Sequence, residues 1–549
     1  MQELIDRLRT QLAGDVTDSE TERKAYSRDT SLFSRMPSLV VYPKTAEDVA
    51  RLVREVHEAK SAGTDVSVTA RSAGTDMSGG PLTHSIVAVF IKYLNRVHEV
   101  GADYAVVEPG CYYRDFEKET LKKNLILPSY PASRSIAAMG GIINNDSGGE
   151  RTLEYGKTRK YVEELEVVLS DGSQATFKAL SPHELAEKFA LPTLEGQIYR
   201  DMHALVTKHA ALIQSARPKV RKNSAGYALW DVYDPETGTF NLAKLVVGAQ
   251  GTLALVTKAK LKLVHPQPNR SMLVLFLKDI DNLPEIVRRV LSKNPESFES
   301  YDDHTFKLAI KFLPQMLSQM GFRKAVRLAF AFIPELLMVL KGGVPKLVLM
   351  AEFSEDSPEI ASARATEARE SLREFGLPMK VLARESQSEK YWIVRRESFA
   401  LLRKNLTGYY AAPFIDDFVV PPDAYPEFLP KLYAILDEYK LIDTIAGHIG
   451  DGNFHIIPLM DLSDPGTKQT ILELSRRVYD LVIEYGGTTT GEHNDGIIRT
   501  PYLPQLFGEE MVSLFAETKR IFDPLHIFNP GKKVGGTFAD IERDLLTHV

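Results

Sequence analysis

The chain has 549 residues, which at roughly 100 to 200 residues per domain predicts two to four structural units rather than one small module. Hydrophobic residues make up 44% and charged residues 26%, as in ordinary globular proteins, and the net charge of −6 argues against a dedicated nucleic-acid binder. The single cysteine, Cys111, excludes a disulfide framework and an iron–sulfur cluster held by four cysteines of this sequence.

Strand-like and helix-like segments alternate through the first half, beginning with an amphipathic helix that lacks the continuous apolar segment of a secretory signal. An apolar strand then ends at Pro43, and Thr45 is placed to cap a helix. Further strands are predicted at VSVTA, SIVAVFI and YAVVEPG, followed by a hairpin that turns at Asp171 and Gly172. These features predict α/β units.

A proline-containing segment near residue 268 marks the boundary of a second predicted domain. The segment PQPNR, which ends at Arg270, interrupts the alternation of predicted strands and helices, and we place a domain boundary there. The most apolar stretch, residues 325–340, is shorter than the ~20 residues that span a bilayer and contains charges, so no transmembrane helix is predicted.

Two glycine-rich segments have the composition of turns that approach a phosphate or an extended polar ligand. They are VSVTARSAGTDMSGG, residues 66–80, and PASRSIAAMGGIINNDSGG, residues 131–149. The first is neither a P-loop nor a GxGxxG turn, so a nicotinamide-binding fold is not indicated. Read alone, it is also compatible with an ordinary connection.

The segment TIAGHIGDGNFHIIPLM contains two histidines, His448 and His455, on either side of a turn-forming sequence. A hairpin there would place the two imidazoles about 5 Å apart on facing strands. With Glu492 of GTTTGEHNDG as a third ligand, the set suits a catalytic divalent ion such as zinc. Taken alone, such a histidine pair is more often structural or exposed.

The order of these motifs resembles the FAD-linked oxidase family, which includes D-lactate and D-2-hydroxyglutarate dehydrogenases and the glycolate oxidase flavoprotein subunit. The segments that carry the resemblance are VVYPKTAEDV, RSAGTDMSGG, VVEPG, PASRSIAAMGGIINNDSGG, EYGKTRKYVEELEVVLSDG, VVGAQGTLALVT, GHIGDGNFH, GEHNDG and IFDPLHIFNPGK. The resemblance implies an α+β fold with a two-subdomain FAD-binding domain of the vanillyl-alcohol-oxidase type over residues 1–268. It also implies an antiparallel-sheet substrate (cap) domain with the metal site over 269–525, and a C-terminal segment, 526–549, that returns to the FAD-binding domain.

The same resemblance implies the residues that contact FAD, mostly small residues of the two glycine-rich segments. They are Arg71, Ser72, Ala73, Gly74, Thr75, Ser78, Pro109, Gly110, Ala132, Ser133, Gly140, Gly141, Asn144, Ser147, Gly148, Gly156, Gly251, Val256 and Asn529. Because RSAGTDMSGG contains neither histidine nor cysteine, we expect FAD to bind without a covalent bond. Three positions depart from the usual pattern: Gln250 stands for Glu, Ala254 for Gly, and Asn494 for Gly.

The family pattern also implies the catalytic groups. A 2-hydroxy acid must lose its hydroxyl proton as hydride leaves the α-carbon, and His493 beside Glu492 is predicted to be the base; the alternative is a fourth metal ligand. In YWIVRRESF, alignment through Trp392 favours Arg395 over Arg396 as partner of the substrate carboxylate. Ile415 stands where D-2-hydroxyglutarate dehydrogenases carry a Lys, which favours a monocarboxylate substrate.

Together these features predict an FAD-dependent dehydrogenase that oxidises a D-2-hydroxy acid, D-lactate-like or D-2-hydroxyglutarate-like. Electrons would pass to a quinone or an electron-transfer protein. Two alternatives are a non-redox flavin enzyme like alkylglycerone-phosphate synthase and a flavin-free metal-dependent hydrolase. We expect a cytoplasmic protein. The basic, apolar segment 305–346 could dock on the inner face of the membrane, although a pair of helices packed on the substrate domain is the preferred explanation.

Overall fold

The computed structural model describes residues 1–307, 332–335, 337, 343–405, 408–439, 441 and 445–546, except the side chains of 397–405. These residues form four β-sheets covered by helices, which agrees with the predicted α+β class. No helix within the described ranges is long and apolar enough to cross a membrane. Most of the proposed membrane-docking segment, 305–346, lies outside the described residues.

The first sheet joins an antiparallel edge to a parallel core and has the order β1-β2-β4-β3. Its strands are β1 (Asp15–Thr17), β2 (Leu39–Tyr42), β3 (Val68–Arg71) and β4 (Ile86–Val89). Its helices are Gln2–Gln11, Glu20–Ala25 and Ala46–Ser61. Thr45 caps the third helix by accepting a hydrogen bond from Asp48 N, as predicted. The C-terminal segment returns here, because Asn529 N donates to Val68 O.

The second sheet is antiparallel, with the order β5-β6-β11-β7-β8-β10-β9. Its strands are β5 (Val97–Val100), β6 (Tyr104–Val107), β7 (Val162–Val168), β8 (Gln174–Leu180), β9 (Tyr233–Asp234), β10 (Thr239–Asn241) and β11 (Leu255–Lys262). Its helices are Tyr113–Leu121, Met139–Asn145, Thr152–Tyr155, Thr158–Lys160, Pro182–Phe189, Leu194–Lys208, Ala210–Ser215, Leu229–Asp231 and Ala243–Val246. The predicted hairpin at Gly172 is confirmed, since β7 and β8 pair and Gly172 has φ +81°.

The third sheet begins at Asn269 and is antiparallel, with the order β15-β12-β14-β13-β18-β19-β17. Its strands are β12 (Asn269–Leu277), β13 (Ser297–Asp302), β14 (Leu347–Glu355), β15 (Met379–Leu382), β17 (Phe418–Val419), β18 (Ile445–His448) and β19 (Asn453–Ile456). A separate pair comprises β16 (Tyr410–Ala411) and β20 (Leu459–Met460).

Helices of the C-terminal half pack on more than one sheet. They are Leu283–Leu291, Pro358–Ser371, Arg373–Phe375, Glu385–Asn405, Pro422–Ala424, Tyr425–Tyr439, Thr467–Glu484, Gly496–Arg499, Thr500–Tyr502, Leu503–Phe507, Glu509–Phe522 and Phe538–Asp544. Although Glu509–Phe522 falls within the predicted span 269–525, its buried Met511, Leu514 and Phe515 join the apolar core of the second sheet. This helix therefore packs with residues 105–263 of the second sheet and its helices.

Candidate functional site

A cavity of about 490 Å³ extends from the glycine-rich turns to the histidine cluster. Most of the residues predicted for cofactor, metal and substrate lie on its wall. They are Arg71, Ser72, Ala73, Gly74, Thr75, Pro109, Ala132, Ser133, Gly140, Gly141, Asn144, Ser147, Gly148, Gly251, Val256, Arg395, His448, His455, Glu492 and His493. The glycine-rich turns and the histidine cluster therefore line one continuous cavity.

Four residues predicted to contact FAD do not line this cavity: Ser78, Gly110, Gly156 and Asn529. Ser78 donates its hydroxyl to Asp76, and Gly110 packs so closely that a Cβ would lie 2.2 Å from Phe90 O. The Asn529 amide donates to Gly80 O and Gln250 O, while Gly156 ends the short helix Thr152–Tyr155 at φ +79°. These residues hold the turns behind the wall, and direct contact with a cofactor stays a prediction.

The first glycine-rich turn is held from within by Asp76. One carboxylate oxygen accepts hydrogen bonds from the Ser78 amide and hydroxyl, and the other accepts from the Asn145 side chain at 2.9 Å. Arg71 ends β3, and its guanidinium donates to Arg28 O at 2.6 Å. The Arg71 guanidinium is therefore hydrogen-bonded to the backbone of Arg28.

Glycines leave the room that an extended cofactor would need. Among the described residues other than the adjoining ones, the nearest atom to a Cβ at Gly141 would be Ser72 Cβ at 3.9 Å, and to a Cβ at Gly251 it would be Ala70 Cβ at 3.8 Å, so either Cβ would take up cavity space. At Gly140, by contrast, a Cβ would lie 2.6 Å from Ser72 Oγ and 2.7 Å from Pro109 Cβ, which requires glycine there. Exposed backbone beside small polar side chains fits the phosphates of a dinucleotide.

The predicted histidine hairpin is confirmed as β18 and β19, with the His448 and His455 ring centroids 5.2 Å apart. The turn requires glycine at position 452, because Gly452 has φ +77° and a Cβ would lie 2.0 Å from Val420 O. Glu492 joins the pair: its Oε1 lies 3.0 Å from His448 Nε2 and 3.3 Å from His455 Nε2.

The side chains around Glu492 form a donor set suited to a divalent cation. Within the described residues, ligand atoms of Asp417, His455, Glu492 and His493 all lie within 4.8 Å of one another. Glu492 Oε2 is buried and has no hydrogen-bond partner among them. Imidazole and carboxylate ligands of this kind fit zinc or a similar ion.

A buried carboxylate, Asp416, orients two of these histidines. It accepts from His455 Nδ1 at 3.0 Å and from His493 Nδ1 at 2.6 Å. Burial alone would lower the pKa of the His493 imidazole, but the charges of Asp417 and Asp416 raise that pKa to about 10. Asp417 accepts hydrogen bonds from the backbone amides of Glu492 and His493 and so fixes the loop that carries them.

A buried lysine balances part of this negative charge. Lys222 Nζ lies 3.1 Å from Asp451 and 3.8 Å from Glu492 Oε2, and its side chain is fully buried. Burial would raise the pKa of the Glu492 carboxyl, but the charges of Lys222 and His448 hold it well below its usual value. Glu492 is therefore an ionised carboxylate, the form that binds a cation.

The two adjacent arginines both reach the cavity but have different partners. Arg395 is mostly buried, and its Nε donates to Glu299 at 3.2 Å. Arg396 is more exposed, donates to Glu150 at 2.6 Å, and stacks on Trp392 with 4.6 Å to the ring centroid. Neither is simply solvated.

Two departures from the family pattern join the histidine loop to the glycine-rich turns. Asn494, at φ +70°, donates its amide to Asn145 O of the second turn at 3.3 Å and to Gly248 O at 2.9 Å instead of lining the cavity. Gln250 accepts from Gly496 N at 2.9 Å and donates to Ser78 Oγ at 3.3 Å. The bulk of Asn494 therefore does not narrow the pocket.

Sequence reasoning missed the residues that contact the site from behind: Glu299, Asp416, Asp417 and Lys222. The adjacent acids Asp416 and Asp417 in an otherwise apolar segment were a usable signal, because an acid that such a segment buries needs a hydrogen-bonding or charged partner. Glu299 in SFESYD and Lys222 in PKVRKNS carried no such signal in the sequence, since both resemble ordinary surface charges.

Comparison with known proteins identifies the family. Residues 37–178 match the FAD binding domain family, and residues 266–533 match the family described as FAD linked oxidases, C-terminal domain. The two matches together cover most of the chain, which therefore belongs to the FAD-linked oxidases and contains an FAD-binding domain.

Individual relatives are similar to this chain over most of its length, at less than 30% sequence identity. A D-2-hydroxyglutarate dehydrogenase of Pseudomonas putida is 28% identical over 96% of this chain, yet the chain spans only 51% of that relative's length. A D-lactate dehydrogenase of Archaeoglobus fulgidus is 26% identical, with 90% of this chain and 91% of the relative covered. The crystal structure of p-cresol methylhydroxylase has the same fold, with a TM-score of 0.67 at 16% identity, covering 98% of this chain and 97% of that one.

Proposed function

We propose that this protein is an FAD-dependent dehydrogenase that oxidises a D-2-hydroxy acid, of the D-lactate or D-2-hydroxyglutarate kind, to the 2-oxo acid. The observation that carries the proposal is one continuous cavity bounded by the glycine-rich turns, a histidine–carboxylate cluster and the adjacent arginines Arg395 and Arg396. The names of the two dehydrogenase relatives support the substrate class.

The glycine-rich wall would hold the cofactor. Ser72, Gly74 and Thr75 would face its phosphates, and Gly140 and Gly141 would let backbone approach it closely. Bound FAD would accept the hydride from the substrate α-carbon. The family match to an FAD-binding domain supports this part of the proposal.

His448, His455 and Glu492 would hold a divalent ion, such as zinc, beside the substrate hydroxyl. Such an ion stabilises negative charge on an alkoxide oxygen. The ionised Glu492 supports this assignment, because its Oε2 has no hydrogen-bond partner among the described residues and its Oε1 lies 3.0 Å from His448 Nε2 and 3.3 Å from His455 Nε2. The described ligand atoms within 4.8 Å of one another belong to Asp417, His455, Glu492 and His493, so the alternative in which His493 is a ligand keeps its support.

His493 would take the hydroxyl proton. A cation held by Glu492 would offset the carboxylate charges that raise the pKa of His493 and would favour its neutral form. Because an ionised carboxylate can only accept, the contact with Asp416 would then keep the remaining proton on Nδ1 and leave Nε2 as the acceptor. The His493 side chain is on the cavity wall, where it can reach a hydroxyl group.

Arg395 would bind the substrate carboxylate. Glu299 holds its Nε, so the two terminal nitrogens remain for a bidentate contact. Arg396, next to Arg395 on the wall, would lie within reach of a further carboxylate in a dicarboxylic substrate.

The electrons would leave through a separate acceptor, either a quinone or an electron-transfer protein. A single cysteine cannot provide an iron–sulfur cluster within this sequence. Activity should then require an added acceptor.

The test begins with the visible absorption spectrum of the purified protein, which reports flavin directly. Enantiomers of 2-hydroxy acids are then screened under anaerobic conditions for bleaching of the flavin and with an artificial acceptor for turnover. We expect D enantiomers alone to bleach it. A colourless protein, or a flavin that no 2-hydroxy acid reduces, would overturn the proposal; rapid stoichiometric peroxide formation would make the protein an oxidase.

A further inference from the structure

Glu299 contacts both the histidine cluster and the arginine pair, from the side away from the cavity. Its Oε1 accepts a hydrogen bond from His448 Nδ1 at 2.5 Å, and its Oε2 accepts one from Arg395 Nε at 3.2 Å. The side chain is 2% exposed, and Glu299 is not part of the cavity wall.

Strand pairing fixes this position. Ser300 of β13 pairs with Gly447 of β18, so the antiparallel register sets Glu299 opposite His448. A carboxylate this deeply buried is costly unless it is paired. Two donors, one on each oxygen, satisfy it.

The contact with His448 determines which ring nitrogen is free. Since Glu299 accepts from Nδ1, Nε2 is the nitrogen that faces Glu492, 3.0 Å away, and it is the one that would bind a metal ion after losing its proton. A carboxylate behind a ligating imidazole fixes the ring and makes it a better donor to a metal ion.

The contact with Arg395 fixes the guanidinium in the same way. Holding Nε stops rotation of the planar group, so its terminal nitrogens are already oriented when a ligand carboxylate arrives. A freely rotating arginine would lose more entropy on binding.

We infer that Glu299 is a positioning residue that orients His448 for the metal ion and Arg395 for the substrate carboxylate at the same time. The inference rests on the function proposed above. It predicts that one substitution weakens two separate binding events without altering a residue that touches either ligand.

The test compares Glu299→Gln with Glu352→Gln in the FAD-loaded protein. Gln keeps the size of the side chain but removes the charge and turns one acceptor into a donor. Glu352 is the matched control, because it is buried in the neighbouring strand β14 and accepts from Trp392 on the same helix as Arg395. It has no contact with His448 among the described residues.

Metal affinity is measured first, with Zn²⁺ alone in competition with a chromogenic chelator. We expect Glu299→Gln to bind Zn²⁺ about 10- to 100-fold more weakly and to change the visible spectrum of bound Co²⁺, with Glu352→Gln unchanged. At saturating Zn²⁺, Glu299→Gln should raise KM for the hydroxy acid more than it lowers kcat. Glu299→Asp, which keeps the charge but shortens the reach, should recover part of the Zn²⁺ affinity.

Wild-type Zn²⁺ affinity in Glu299→Gln would overturn the inference, and so would an equal loss in Glu352→Gln. If Glu299→Gln does not fold, Glu299→Asp decides the matter, because unchanged Zn²⁺ affinity and unchanged KM in that variant would also overturn it. Zn²⁺ binding needs no turnover, so a protein with the expected metal effect but no hydroxy-acid activity would count against the proposed function alone.

Discussion

Asp416 accepts a 2.6 Å hydrogen bond from Nδ1 of His493 while it is itself completely buried. Its second oxygen accepts from Nδ1 of His455, so one carboxylate orients two imidazoles whose rings stack with centroids 5.2 Å apart. Both rings therefore direct Nε2 to the opposite side, where Glu492 lies 3.3 Å from the Nε2 of His455. Asp416 thus links the proposed base with a proposed metal ligand.

We expect Asp416→Asn to slow flavin reduction by at least about 10²-fold. Asn offers one acceptor and one donor, so one imidazole would face an N–H group and have to change its tautomer or rotate. Stopped-flow bleaching of the flavin in a single turnover measures the effect. The flavin absorbance should stay normal, and a bleaching rate equal to that of the wild type would show that Asp416 does not orient the base.

His455→Ala and His493→Ala should fail in different ways. Removing His455 takes away a metal ligand, so metal content and activity should fall together. Removing His493 should leave metal and flavin in place but slow the single-turnover reduction on the order of 10²-fold or more. Metal analysis beside stopped-flow measurements separates the two cases. Loss of metal from His493→Ala would make that residue a ligand, and a normal bleaching rate would place the base elsewhere.

The flavin should be released when the protein is denatured. The turn RSAGTDMSGG contains no histidine or cysteine, and Cys111 is buried in the core of the second sheet instead of the cavity wall. Acid precipitation followed by absorbance of the supernatant measures the released cofactor. Yellow colour that stays with the precipitate would indicate a covalent bond.

The histidine hairpin could be predicted from the sequence because its two histidines and its turn are neighbours along the chain. His448, Gly452 and His455 specify their geometry locally, and the structure has that hairpin. The glycine-rich turns could also be predicted, since segments so rich in Gly, Ser and Asn are typical of backbone that lies against a polar ligand. The exact wall could not be predicted, because Gly110 and Asn529, which the family resemblance placed at the cofactor, pack behind it.

Residues that orient the site could not be predicted in this way. Glu299 lies 149 positions from His448, and Asp416 lies 77 positions from His493. Only the pairing of β13 with β18 and the folding of the 416–417 segment under the histidine loop bring them together. Likewise, Asn494 and Gln250 looked like departures from a binding pattern, whereas their amides join loops across the site.

The buried carboxyl of Glu352 should make stability depend on pH. Burial, followed by the charge of Glu296, raises the pKa of Glu352 to about 7, although Arg270 opposes the shift. The folded state therefore holds a proton that the unfolded chain releases at about pH 4.5, so this group lowers stability as pH rises from about 4.5 to about 7. Glu352→Gln removes the ionising group while keeping its volume and an acceptor for Trp392.

We therefore expect Glu352→Gln to have nearly wild-type stability at pH 5 and to be more stable than the wild type at pH 8, by up to about 3 kcal/mol. Urea unfolding of the FAD-loaded proteins at the two pH values measures the difference. Glu359→Gln, on the exposed surface of the following helix, is the control and should leave the pH dependence unchanged. An equal effect of Glu352→Gln at both pH values would mean that Glu352 is ionised across this range, with Arg270 outweighing burial and Glu296.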